Sequence, residues 1–372
     1  MENTSLLLQL TLIPGIGPAR IKALLNCLQN IRQVMQAEVD ELVTVPGIGE
    51  PLARQIHDFL HQTQTREGAI KAAEAQIQQA HRHKAKLITI LDAEYPPLLK
   101  QIYDPPPCLF VRGELPSPQT PGLAVVGTRN ASQYGKQCTA LFCKELASYG
   151  IVVYSGLAFG IDMAAHQATL ENGGITIAVL ASGVEQVYTD PKGLLWPKII
   201  ERGALVSEEW IGSELVPAKF PKRNRIISGI SAGTLIVESD LKGGALITAA
   251  TALEQNREVF ALPGNIFSRT SRGTNKLIQD AQAKAVMSVD DILVELGKNF
   301  AKKPASPSQE KPRPPLTATE RSIVEGMKGE RVHIDALAAA TALDISSLLV
   351  HLFELELKGA VEQEPGQFFR PT

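Results

Sequence analysis

The amino-acid sequence predicts an α/β protein. Its centre should be a doubly wound, mostly parallel sheet of the extended Rossmann-like kind, flanked by a small N-terminal helical domain and a C-terminal winged helix. Three observations carry that expectation. Between residues 120 and 297, strand-sized apolar runs alternate with helical stretches. Glycine-containing turns follow several of those runs. A proline-rich cationic piece then separates this body from a short amphipathic tail.

The expected strands are Leu123–Val126, Ile151–Tyr154, Ile175–Leu180, Ala204–Ser207, Thr234–Glu238, Glu258–Leu262 and Ala285–Met287. They are rich in Val, Ile and Leu without alternation, as strands buried on both faces of a parallel sheet are. Helical patterns such as Lys136–Ser148 and Ala245–Asn256 separate most of them. Residues 84–113, with Tyr95-Pro96-Pro97 and Asp104-Pro105-Pro106-Pro107, read as a proline-braced lead-in. The predicted domains are 1–70, 71–297 and 316–372, with 298–315 as linker.

Composition excludes several classes. Of 372 residues, 44% are hydrophobic and 20% charged, which describes an ordinary folded chain. No apolar run approaches the ~20 residues that span a bilayer, and no secretory leader is evident. Cys27, Cys108, Cys138 and Cys143 lack metal-type spacing and are too few for a disulfide framework. A soluble, reduced, cytoplasmic protein without metal or cofactor is expected. The net charge of −2 excludes a globally basic nucleic-acid coat but leaves room for a local basic groove. By segment the charge is −2 over 1–70, zero over 71–297, +4 over 298–315 and −4 over 316–372.

The first segment contains a repeat. Ile13-Pro14-Gly15-Ile16-Gly17 and Val45-Pro46-Gly47-Ile48-Gly49 lie 32 residues apart, each opening an apolar helical pattern. Free N–H groups at such helix starts can receive a phosphate oxygen. The pair resembles the helix-hairpin-helix (SAM-like) module. With only Arg20, Lys22 and Arg54 nearby in a net negative segment, packing is the favoured role. Residues 316–372 read as two or three helices followed by a hairpin over Ala360–Phe369, a winged helix whose negative charge makes protein contacts at least as good an expectation as DNA.

In a doubly wound sheet, ligands bind beyond the carboxyl ends of the strands. The turns Val126-Gly127-Thr128-Arg129, Ser155–Gly160, Ser182-Gly183, Lys242-Gly243-Gly244-Ala245 and Pro263-Gly264-Asn265 should line that edge. Glycine permits close backbone approach, and the Arg129 fork suits a phosphate. A dinucleotide is disfavoured, because Gly127 stands outside any G-x-G-x-x-G and no carboxylate ends the second strand. No Walker A sequence exists. Gly229-Ile230-Ser231-Ala232-Gly233 matches the G-x-S-x-G string, but helix precedes it and strand follows, the reverse of a nucleophile elbow. His57 and His61 lack a third metal ligand. Asp162 and His166 share a helix face and could form an acid–base pair, although buried hydrogen bonding at a helix start is slightly favoured.

The densest basic feature is Lys219-Phe220-Pro221-Lys222-Arg223-Asn224-Arg225, four cations with one aromatic and no acid. Cations neutralise successive phosphates and Phe220 can stack on an unpaired base, so a nucleic-acid groove is favoured over a solvated helix start.

Taken together, VVGTRNASQYG, SGLAFGIDMAAH, FPKRNRIISGIS, KGGALITAA and ALPGN resemble the DNA-processing protein A family (DprA, also called Smf) over most of residues 86–290. The flanking domains resemble members that carry a helix-hairpin-helix or SAM-like start and a winged-helix end. The resemblance implies a non-enzymatic protein that binds and protects single-stranded DNA and loads RecA recombinase during natural transformation, as a homodimer through its Rossmann domain. It implies DNA contacts from Gly127, Arg129, Ser155, Gly156, Arg223, Asn224, Arg225 and Gly244. Lys219, Phe220, Lys222 and Lys242 join that set on charge and stacking. Two departures stand out: Tyr188-Thr189-Asp190-Pro191 where the family commonly has Tyr-Pro, and Lys242 where serine is common. Replacing Arg129 or Arg225 by Ala should weaken binding without unfolding. The rival class is a nucleotide-hydrolysing enzyme using Asp162 and His166. A third reading, a transcription regulator working through 316–372, is opposed by the charge there.

Overall fold

The computed structural model describes residues 2–297, 316–341, 343–358, 360–364 and 367–371. The expected linker 298–315 lies outside the described residues. The chain divides into two compact units, Met1–Lys303 and Pro304–Thr372.

The first unit is built on a nine-stranded sheet: β1 (Ala85–Thr89), β2 (Cys108–Gly113), β3 (Gly122–Val126), β4 (Val152–Ser155), β5 (Thr176–Val179), β6 (Ala204–Ser207), β7 (Gly233–Ile236), β8 (Glu258–Ala261) and β9 (Lys284–Ala285). Their spatial order is β1-β2-β6-β5-β4-β3-β7-β8-β9. From β6 through β9 every pairing is parallel, while β1 and β2 add antiparallel strands at one edge. Those two strands lie in the stretch that reads as a lead-in. Its prolines fall outside the ladder (Pro96 and Pro97 at a short helix start, Pro105 to Pro107 before β2), so they brace the strands without removing a donor from them.

The apolar runs are buried on both sides, as their lack of alternation predicts. In β3, Ala124 and Val126 belong to one core and Leu123 and Val125 to the other. Truncating one such fully enclosed side chain to Ala costs about 2–5 kcal/mol.

The N-terminal helices share the first of these cores: Leu7, Ile21 and Ile56 pack in the same cluster as Val126 and Val206. The helix Thr63–Arg82 runs through residue 70, so the boundary expected between 70 and 71 falls inside a continuous helix. Composition changes there, but the backbone hydrogen bonding does not. In the repeat, Gly15 and Gly47 take φ of +79° and +80° before the helices Pro18–Leu28 and Glu50–His61. The three nearby cations are engaged. Arg20 donates to the carbonyls of Gly15 (2.6 Å) and Gly47 (3.0 Å), bracing one repeat against the other. Lys22 donates to the Ile102 carbonyl at 2.6 Å, and Arg54 pairs with Glu50.

The second unit has helices Ala318–Gly326, Ile334–Thr341 and Ile345–Leu357, and a small antiparallel sheet in which Phe368–Pro371 pairs with Val332–His333 and Val361–Glu364. This is the winged-helix arrangement, with the expected terminal hairpin as its wing. Ile323, Leu337, Leu348, Leu352 and Phe369 form its core. No described helix is long and apolar enough to cross a membrane.

Candidate functional site

Strand order reverses at β3. The chain builds β4, β5 and β6 to one side of it and β7, β8 and β9 to the other, so a crevice opens beyond the carboxyl ends of β3 and β7. A cavity of about 370 Å³ occupies that position. Its walls are the turn Gly127-Thr128-Arg129 after β3, Ala158 and Asp162 after β4, Ser239 and Gly243-Gly244 after β7, and one face of the helix Lys219–Ile230.

That helix decides which of the clustered basic residues face the crevice. Pro221 is tolerated because it sits in the first turn, where N–H groups have no helical partner. Regular helix follows, and one turn per 3.6 residues splits the cluster. Phe220, Arg223, Asn224 and Ile227 line the cavity. Lys222 and Arg225 face another cavity, of about 280 Å³, with Glu208, Glu209 and Trp210. Arg225 forms an ion pair and short hydrogen bond with Glu208 and donates to the Asp104 carbonyl at 2.6 Å. Lys219 pairs with Glu209 at 2.7 Å. The single seven-residue groove expected from charge density is therefore divided. The acids that neutralise its outer face, Glu208 and Glu209, lie outside the cationic stretch, where a charge count over that stretch does not find them.

Arg129 stands at the mouth of the crevice. It is exposed, has no carboxylate partner among the described residues, and lies 5.3 Å from the Phe220 ring centroid. Phe220 is thus a rest for the guanidinium. Arg223 lies deeper, 6% exposed, and donates to the carbonyls of Gly156 and Val179, both at 2.6 Å. Burial pushes its guanidinium down to about 10, opposed by Asp162 and reinforced by the nearby Arg129 charge. Two guanidiniums in one field make the crevice a place for an anion.

Other residues shape the turns. Ser155 is buried and donates to the Val125 carbonyl, so it ties β4 to β3 without reaching the cavity. Gly156 lies beneath Arg223, and a Cβ there would come within 2.5 Å of that guanidinium. Leu157 holds φ of +52°, a left-handed conformation that costs a branched side chain about 1–3 kcal/mol. Its carbonyl accepts from Thr189 Oγ1 at 2.6 Å, and Asp190 accepts from the N–H groups of Leu194, Leu195 and Trp196. The Thr189-Asp190 departure thus anchors its own loop to the turn after β4. Gly244 lines the cavity, with open space where a Cβ would stand. Lys242, the second departure, is exposed beside Gly243 but outside the cavity lining.

Asp162 is 5% exposed at the crevice wall, and His166 behind it is fully buried. Asp162 accepts from the N–H groups of Gly156 (3.0 Å) and Ala158 (3.4 Å), holding the turn over the crevice. Burial raises its carboxyl, opposed by Arg223 and by those N–H groups. His166 Nδ1 is 2.7 Å from Thr176 Oγ1, and burial followed by the Arg223 charge lowers the ring to about 3. His57 and His61 stack at 4.2 Å, and no metal-holding cluster exists among the described residues.

Sequence reasoning missed Glu238. It is 2% exposed just beyond β7, and its carboxylate accepts from the Ser132 N–H and hydroxyl and from Thr270 Oγ1. Its carbonyl accepts from the Thr128 N–H. One acid therefore braces both ends of the turn that carries Arg129. The available signal was an acid closing an otherwise apolar run at a switch-point strand.

Comparison with known proteins bears on this architecture. The model of the DNA recombination-mediator protein A family matches residues 86–297, the DprA winged helix domain matches 307–367, and a SAM-like helix-hairpin-helix tandem matches 7–62. Protein Smf of Escherichia coli is 39% identical over 74% of this chain and 75% of its own length. Protein Smf of Synechocystis is 30% identical over 96% of both. The structure of DNA processing protein A from Streptococcus pneumoniae matches with a TM-score of 0.64 at 31% identity, covering 78% of this chain and 95% of that one. A structure of the Helicobacter pylori protein, described by its single-stranded DNA binding mode, matches at 0.52 and 26% identity over 59% of this chain and 99% of that one. The sheet and both flanking domains agree with these matches: the chain belongs to the DNA recombination-mediator protein A family.

Proposed function

We propose that this protein binds single-stranded DNA in the crevice between β3 and β7, protects it, and helps load RecA recombinase onto it during natural transformation. One observation carries the reading: Arg129, without a carboxylate partner among the described residues, rests on Phe220 at the mouth of a crevice backed by Arg223 and glycine turns. A phosphate suits the guanidinium, an unpaired base suits the aromatic face, and neither contact depends on sequence. The single-stranded DNA mode of the Helicobacter pylori relative supports the same ligand. Gly127, Arg129, Phe220, Asn224 and Gly244 are the contact residues. Ser155, Gly156 and Arg223 hold the turns, Lys242 lies at the periphery, and Lys219, Lys222 and Arg225 belong to the opposite face.

The role is binding rather than catalysis. The enzyme reading needs Asp162 and His166 together on a substrate, whereas the Asp162 carboxylate at the crevice wall is committed to the Gly156 and Ala158 N–H groups and His166 is fully buried against Thr176. A cytoplasmic homodimer is part of the proposal. Exposed Ile266, Phe267, Met287 and Val294, on the segments around β8 and β9, support an apolar contact between Rossmann bodies.

The test is fluorescence anisotropy of labelled oligo-dT against duplex DNA at two salt concentrations, with wild type beside Arg129→Ala. Preference for the single strand, lost at Arg129→Ala, is expected. Equal affinity of wild type and variant would overturn the site, and absence of binding would overturn the function. RecA loading is read separately, as ATP turnover by RecA on single strands with and without the protein.

A further inference from the structure

Arg129 is the shared wall of two cavities. Besides the crevice, it lines a second one of about 590 Å³ with Asn130, Ala131, Lys136, Gly160, Met163, Ala164 and Gln167. This cavity contains a second cation, Lys136, and no Asp or Glu lines it. Lys136 is exposed and has no ion-pair partner among the described residues. Two helices, Gln133–Ser148 and Ile161–Glu171, begin at its edge and bring their positive ends toward it.

Phe159 links the two cavities along the chain. Its neighbour Ala158 lines the crevice and its neighbour Gly160 lines the second cavity. Phe159 is 56% exposed, although it sits in a turn held by the hydrogen bonds of Gly156 and Ala158 to Asp162 and followed by a helix start at Ile161. Gly160 keeps that turn against the backbone of Thr128 and Arg129, with φ of +82° and no room for a Cβ, which would meet the Thr128 carbonyl at 2.3 Å. The Phe159 ring lines neither cavity itself but stands exposed on the short turn whose flanking residues line both, and it packs into no core cluster of the described residues.

We infer that the second cavity takes the continuation of the same DNA strand, with Lys136 on a phosphate and Phe159 stacked on an unpaired base. This rests on the single-stranded DNA reading and extends it. The strand crosses Arg129 between two aromatic platforms, Phe220 on the crevice side and Phe159 on the other. The site then discriminates a strand with accessible bases from a bare sugar-phosphate backbone, and duplex DNA, whose bases are already stacked, loses the Phe159 contact.

The test compares anisotropy of a dT oligomer and a same-length abasic oligomer on the full-length protein and its variants. Phe159→Ala should lose about 5- to 150-fold in affinity for dT and little for the abasic strand. Phe159→Tyr should restore the difference. Lys136→Ala should weaken both strands alike and lower the salt slope by about 0.7. Wild-type binding of dT that Arg129→Ala reduces and Phe159→Ala leaves unchanged would overturn this inference alone. So would Phe159→Ala losing affinity equally for both strands. Failure of wild type to bind either strand would overturn the parent reading and this one with it.

Discussion

The Arg223 guanidinium donates to the Gly156 carbonyl at 2.6 Å, and Gly156 leaves it no more space than it needs, since a Cβ there would come within 2.5 Å. A basic residue from the densest cationic stretch is thereby spent on holding a turn. Replacing Arg223 by Ala strands two buried carbonyls and removes the charge opposing burial of Asp162. The expected loss is of order 3 kcal/mol or more in urea unfolding. Arg129→Ala, at an exposed site, should stay within about 0.5 kcal/mol of wild type while losing DNA affinity. Equal stability of the two variants would contradict this division of labour.

Arg225→Ala should behave differently again. The side chain is 10% exposed and paired with Glu208 and Asp104 on the face away from the crevice. Its loss leaves Glu208 buried without its cation, at a cost of about 3 kcal/mol. Affinity for oligo-dT, measured below the unfolding transition, should match wild type. A tenfold weakening would return Arg225 to the binding face, where the family resemblance and the charge density both place it.

Glu238→Ala should lower both stability and affinity. Ser132 and Thr270 lose their acceptor, at about 1–3 kcal/mol, and the turn bearing Arg129 loses its brace. Glu238→Gln keeps an acceptor oxygen and should recover part of each. The check pairs thermal unfolding with anisotropy on the same samples. If Glu238→Ala loses stability alone, the turn is held by other contacts.

His166 sets an acid limit. Its ring is depressed to about 3 in the folded chain, against an ordinary value near 6.5. The neutral form is the one the fold accepts, so this contribution is fully present above about 6.5 and is lost as pH falls toward 3. Between those limits stability should fall by up to about 1.4 kcal/mol per pH unit from this group. Urea titrations at pH 7 and pH 5 would measure the slope. NMR of the ring should show no protonation of the folded form at pH 5, and a ring that titrates near 6 would refute the burial argument.

Much of the site was legible before the structure. The turn Gly127-Thr128-Arg129 and the stretch Gly243-Gly244 fall where strand order reverses, because unalternating apolar runs already implied a parallel sheet with ligands at its carboxyl edge. The lead-in was harder to read. β1 and β2 join the sheet only through long-range antiparallel pairing with each other and with β6, and dense proline concealed them.

Local sequence by itself determined the elements: the buried parallel strands, the two Pro-Gly-Ile-Gly repeats and the helix before Ser231, though not its start at Lys219. Those depend on neighbouring residues, through periodicity, steric limits and hydrogen bonds of short span. Tertiary structure alone decided which charges are available. Arg225, Lys219 and Arg129 read alike as cations, yet Glu208 and Glu209 neutralise the first two while no described acid reaches the third. The turn after β6 supplies those acids, and only the folded sheet brings it to the outer face of the Lys219–Ile230 helix. Charge pairing acts through space over a few ångströms, so it follows the fold rather than the order of residues.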